Sequence, residues 1–233
     1  MAVNDKLHSI DHILPWLGAK SFVMIPVNSV AKDSQITFVA FLRGINVGGN
    51  KLIKMTELKQ AFESLGFREV QTLIASGNVV FCAASAKADV LLQKIEQKLK
   101  KTFGHDIPVI MRTLGQLRKL AAANPFKGVK ITPETRLNVS FLADKARSDL
   151  KIPYATPKED FCILKVSGGE VFSVVDLSKG GSTLDAMSFI EKEFGRNTTT
   201  RNWNTINRIL EATLPAPAAS DANSRTRCRS GEA

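Results

Sequence analysis

Residues 43–54 read Arg-Gly-Ile-Asn-Val-Gly-Gly-Asn-Lys-Leu-Ile-Lys, three cations and three glycines in one run. Such a run after a strand and before a helix can cradle an anion. Glycine lets backbone N–H groups approach the ligand, and the helix N-terminus adds partial positive charge. The pattern is not a Walker A loop: Gly44 and Gly49 have the spacing, but Asn50 follows, and Lys51 is followed by Leu52. Nor is it a dinucleotide fingerprint, which needs glycine where Asn46 stands. Two readings stay open. The run is an anion or ligand loop, with Arg43, Gly44, Asn46, Gly48, Gly49, Lys51 and Lys54 as contacts. Alternatively it is a β-to-α connection that needs glycine for positive φ.

Two further runs carry candidate ligand residues. Ser76-Gly77-Asn78 has tight-turn chemistry, with Ser76 and Asn78 as polar groups. Arg201-Asn202-Trp203-Asn204 sits at a predicted helix start. Arg201 and Asn202 there either bind an anion or cap the helix while Trp203 anchors the core. Lys179-Gly180-Gly181-Ser182 is a second cation-plus-glycine loop.

The chemistry of catalysis is thin. There is no HExxH, GxSxG or CxxC pattern. Within residues 36–214 the one histidine is His105, at a helix-to-strand turn. Glu57, Asp160 and Asp176 are acids that sequence alone does not rank. No catalytic residue is assigned and no cofactor is called for. His8 and His12 are spaced i, i+4, but no third ligand stands near, so no metal site is assigned.

The elements that must position these runs follow from periodicity. Ile36–Leu42 is an apolar run of strand length. A helix follows over about Thr56–Leu65, with Leu58, Phe62 and Leu65 on one face and Gly66 at its end. Val70–Ala75 and Val79–Cys82 read as a hairpin, Lys87–Phe103 as a helix stopped by Gly104, and Ile107–Arg112 as a strand. The order βαββαβ is ferredoxin-like. Thr113–Ala123 is a Thr-capped helix, Arg136–Leu142 a strand, and 143–160 mostly loop. Phe161–Val166 and Glu170–Val175 form a second hairpin. A helix capped by Ser182 follows, facing inward with Leu184, Met187, Ile190 and Phe194; a last helix carries Trp203, Ile206 and Leu210. The fold class is therefore α+β, two ferredoxin-like or sandwich halves with mostly antiparallel sheet. The second half repeats the order of the first, though no residue-level repeat is strong enough to demonstrate duplication. The boundaries expected are a flexible extension over 1–35, a βαββαβ half over 36–112, a second α+β half over 113–214, and a Pro/Ala-rich disordered tail over 215–233.

Several runs together resemble the bacterial domain of unknown function 1697 family. They are Phe41 to Gly49, Lys54-Met55, Ser76 to Phe81, Asn124-Pro125-Phe126 and Thr199 to Thr205. The resemblance covers about residues 36–214 and implies a soluble two-part α+β fold. It implies no activity.

Composition bounds the rest. Hydrophobic content is 44% and charged content 23%, ordinary for a globular chain of 233 residues. The net charge is +10; residues 1–35 sum to zero and 214–233 to +1, so the excess lies in the folded block. A basic fold attracts polyanions. Three cysteines without CxxC pairing suggest reduced thiols and a cytoplasmic setting. No apolar run has the length of a membrane span, so no membrane partner is expected. An RNA-reading sheet face lacks its RNP1 pattern. Three functional readings remain. The first is a binding module for an anionic partner, nucleic acid or a phosphorylated small molecule, through loop 43–54. The others are a small cofactor-independent enzyme on a phosphorylated or carboxylated substrate, and a protein–protein adaptor.

Overall fold

The computed structural model describes residues 35–47, 52–84, 87–144 and 148–214. The expectations for residues 1–34 and 215–233 lie outside these. The first half runs β1 (Gln35–Leu42), α1 (Met55–Glu63), β2 (Arg68–Leu73), β3 (Asn78–Ala84), α2 (Ala88–Phe103), β4 (Val109–Thr113). Then come α3 (Leu114–Ala122), β5 (Thr135–Leu142), β6 (Tyr154–Ala155), β7 (Phe161–Ser167), β8 (Glu170–Asp176), α4 (Thr183–Phe194), β9 (Thr198–Asn202) and α5 (Trp203–Ala212).

The first sheet has the order β2-β3-β1-β4, every pair antiparallel. The second has the order β6-β7-β8-β5-β9, again antiparallel throughout. Without β6 the two orders are the same. β5, β7, β8 and β9 take the places of β1, β2, β3 and β4. The registers agree too: Phe41 pairs with Asn78 as Phe141 pairs with Glu170, and Val39 with Arg112 as Val139 with Arg201. The second half differs at its first crossover, where 143–160 carries the short β6 in place of a helix.

Both faces of each sheet are covered. Phe38, Ala40 and Leu42 point into a core with Leu58, Phe62, Ile95 and Leu99 of α1 and α2. Val39 and Phe41 point the other way, into a core shared with Val139 and Phe141 of β5, and with α3 and α5. Leu142, Val171 and Val175 face a third core with Ala186 and Ile190 of α4. Two-faced burial is why β1 reads as an unbroken apolar run rather than an alternating one. Phe41 and Phe141 stack at 4.3 Å between ring centroids and bolt one half to the other.

Local signals act as expected at several ends. Thr113 caps α3 with a reciprocal Gln116 capping box, and Gly104 closes α2 in the left-handed region at φ 74°. Three expectations need correction. The Thr198–Asn202 segment, taken as the approach to a helix, is strand β9 paired with β5. Its short polar run hid it, because its neighbour supplies the apolar contacts. Tyr154–Ala155, taken as loop, pairs with β7. Leu184, expected to face inward, is 70% exposed; Ala186 and Ile190, one helical repeat apart, fill the contact instead.

Phe41→Ala or Phe141→Ala should each cost about 3–5 kcal/mol in urea unfolding. The double variant should fall short of the sum, since one stacked contact is lost twice. Additive losses would mean that the rings act independently.

Candidate functional site

The C-terminal end of β1, the turn between β2 and β3, and the strand β9 meet at Arg201. Arg201 is 7% exposed. Its Nε donates to Asn78 Oδ1 at 2.6 Å. Nη1 donates to Thr199 Oγ1 and to the Thr200 carbonyl. Nη2 donates to the carbonyls of Leu42 (2.7 Å) and Ser76 (3.2 Å), with Gly77 O at 3.4 Å. The guanidinium lies 5.5 Å from the Phe41 ring centroid. Burial pushes its pKa down to about 10, which leaves it a cation at neutral pH. Every acceptor around it is a neutral amide, carbonyl or hydroxyl.

The second half repeats the arrangement with Arg112. Its Nε donates to Glu170 Oε1 at 2.7 Å, Nη1 to the Met111 carbonyl, and Nη2 to the carbonyls of Leu142 and Gly169. It lies 5.5 Å from the Phe141 centroid. Each half thus sends an arginine from its last strand into the other half's strand end. One difference stands out chemically. Arg112 meets a carboxylate, whereas Arg201 meets the amide of Asn78 at the equivalent position.

Above Arg201 the chain leaves β1 into the glycine loop. Asn46 closes the neck of that loop. Its Nδ2 donates to the carbonyls of Ile53 (3.1 Å) and Ala75 (2.8 Å), and its Oδ1 accepts from Ile53 N–H at 2.8 Å. Asn46 adopts φ 54°, a conformation asparagine tolerates better than most residues. Gly77 packs beneath: at φ 78° a Cβ there would lie 2.6 Å from Ile45 Cδ1, so glycine is required. Asn78 Nδ2 donates to the Leu73 carbonyl and to Ser76 Oγ, which holds the turn in place.

The residues singled out in the sequence sort accordingly. Arg43, Gly44, Asn46, Lys54 and Ser76 gather at this end; Gly48, Gly49 and Lys51 lie outside the described residues. Arg43 is half-buried and pairs with Glu191 of α4 at 2.9 Å. Lys54 is exposed beside Glu57, at 3.6 Å. It precedes α1, whose first turn receives no side-chain cap. Arg201 and Asn78, named as candidate ligand residues, are buried, with their polar groups bonded within the protein. Asn202 caps α5 through Asn204 N–H. Trp203 packs in the shared core against Phe126 at 5.2 Å. The Lys179–Ser182 run is structural: Gly181 N–H donates to Asp176 O, Ser182 caps α4, and Lys179 pairs with Glu159. Sequence reasoning missed Glu170, whose only signal is its register opposite Phe141.

Around the loop, among the described residues, stand amides, main-chain atoms and two cations, each beside an acid: Arg43 with Glu191 and Lys54 with Glu57. Burial pushes both Cys82 and Cys162 up from the ordinary thiol range, so both stay neutral near pH 7. Among the described residues no helix is long and apolar enough to cross a membrane.

Asn46→Ala should cost about 1–3 kcal/mol in chemical unfolding, since it leaves Ile53 N–H and two carbonyls unsatisfied and strains φ. Asn46→Gly should cost about 1 kcal/mol less. Equal losses would mean that φ strain plays no part.

The comparisons with known proteins agree with this architecture. No curated protein matches the chain. Among solved structures, the conserved bacterial protein SP0830 from Streptococcus pneumoniae aligns with a TM-score of 0.59 at 20% identity, covering 76% of this chain and 98% of that one. At that identity the likeness is one of fold. The family model "Protein of unknown function (DUF1697)" matches residues 36–172, which include the glycine loop, the Ser76–Asn78 turn and Glu170 at the start of β8. The chain belongs to that family.

Proposed function

We propose that the chain is a binding module for an anionic partner, nucleic acid or a phosphorylated small molecule, which docks on the loop 43–54. One observation carries the reading: Arg201 is a buried cation with no carboxylate among its hydrogen-bond partners, directly under the strand end from which the loop departs. A charge in a low-dielectric interior is screened weakly, so its potential reaches the surface above it. The twin site keeps Arg112 neutralised by Glu170, and no glycine loop stands there.

The other supports are local. Asn46 holds the two ends of the loop together, which lowers the entropy lost when a ligand orders it. Arg43, Lys51 and Lys54 supply cations, and Gly44, Gly48 and Gly49 supply backbone that can approach an anion closely. Ser76 contributes a hydroxyl at the rim. Val47 and Leu52 are 60% and 78% exposed beside the same loop, which favours a protein partner as the second reading.

Two variants test the proposal against short RNA and DNA, nucleotides and phosphosugars at low and high salt. Asn78→Asp supplies the carboxylate that Arg201 lacks. It should weaken anion binding about tenfold at low salt. Arg43→Ala with Lys51→Ala should weaken binding and flatten the salt dependence of log K by about one to two units, with little change in Tm. Unaltered anion binding in both variants would sink the proposal. Binding that ignores salt altogether would favour the protein-partner reading.

A further inference from the structure

A second candidate lies beside Arg112. Between α3 and the β7–β8 hairpin runs a groove of about 290 Å³. That is close to the lower end of ligand pockets, roughly 300 Å³. Its floor is apolar, from Leu117, Leu120 and Phe172. Lys119 of α3 and Lys165 of β7 stand along its sides, and Arg112 lies at one end. Both lysines are exposed, and neither pairs with an acid among the described residues. Arg112 is held rigid by Glu170 and three carbonyls, so its guanidinium is a fixed wall of the groove.

We propose that this groove is a binding site, separate from the loop, for a small organic anion with a flat apolar body, such as an aryl-substituted carboxylate. The apolar body lies on Leu117, Leu120 and Phe172, where burial is favourable. The carboxylate lies between the two ammonium groups; the acid that lines the groove, Glu170, is paired with Arg112 at 2.7 Å, so the two lysines leave the groove net positive. The volume suits a small molecule.

The probe is anilinonaphthalene sulfonate, whose fluorescence rises in an apolar cationic site, titrated at moderate salt with phenylpropionate and its neutral amide as competitors. Phenylpropionate should displace it and the amide should not. Lys119→Glu with Lys165→Glu should weaken probe binding about tenfold or more. The charge-matched pair Lys94→Glu with Lys101→Glu on α2 should leave it within about twofold. Equal loss in both pairs, equal displacement by the amide, or no binding by the unaltered protein would each overturn the proposal. Asn78→Asp separates the two sites. Probe binding should survive it; loss there, with none in the Lys119/Lys165 pair, would assign the probe to the loop and refute the groove.

Discussion

A guanidinium cannot be buried cheaply, and this fold buries one, Arg201, and partly buries another, Arg112. The cost of moving such a charge out of water is several kcal/mol unless its donors are matched one by one. Arg201 meets that condition with carbonyls from β1, from the β2–β3 turn and from its own strand. Arg112 meets it with carbonyls from β5 and from the β7–β8 turn. The match exists only when the two halves are docked, because each arginine belongs to one half and its acceptors mostly to the other. Docking and neutralisation of the donors are therefore a single event. The stacked Phe41 and Phe141 rings supply the apolar part of the same joint, and each ring also lies beside the arginine that crosses to it.

This coupling explains why runs far apart in sequence look alike in chemistry. The Ser76-Gly77-Asn78 turn needs Gly77 for its close approach to Ile45, and it needs its carbonyls pointed at Arg201. The Thr199–Thr205 run delivers Arg201 on a strand and at once turns into α5, whose Trp203 packs against Phe126 of the Asn124-Pro125-Phe126 run. The runs that carry the family resemblance thus gather around the joint between halves and around the loop above it. A motif in this chain is first a statement about assembly.

Much of the fold was legible because its signals are local. The strand-length apolar run of β1, the glycine at the end of α2 and the threonine before α3 each act within a few residues. The strand β9 was illegible for the opposite reason: TTTRN has no apolar face of its own, and it is a strand because β5 offers it a partner. The site was half legible. Cations and glycines mark 43–54 as a special loop, and Asn46 was rightly placed within it. Its task as a clamp depends on Ile53 and Ala75, of which the second is distant in sequence. The burial of Arg201 was hidden altogether, since a polar residue before a tryptophan at a helix start reads equally well as a surface contact.

The deeper asymmetry lies between the two strand ends. A fold with two equivalent halves presents the same construction twice: a strand end, a tight turn, and an arginine received from the other half. At the β5 end the arginine is paired with Glu170, and the described residues of the segment that follows contain no helix. At the β1 end the acid is replaced by Asn78, and the segment that follows is the glycine loop leading into α1. Neutral pairing would make the first end the easier one to bury. An amide at the second leaves net positive charge in the interior, at a desolvation cost that neutral acceptors rather than a counter-charge must offset. That cost falls at the end whose loop is clamped at its neck, rich in glycine and flanked by cations. The β5 end shows that the same joint closes with a carboxylate in place. The uncompensated guanidinium at the β1 end is the difference on which the proposal of an anionic partner rests.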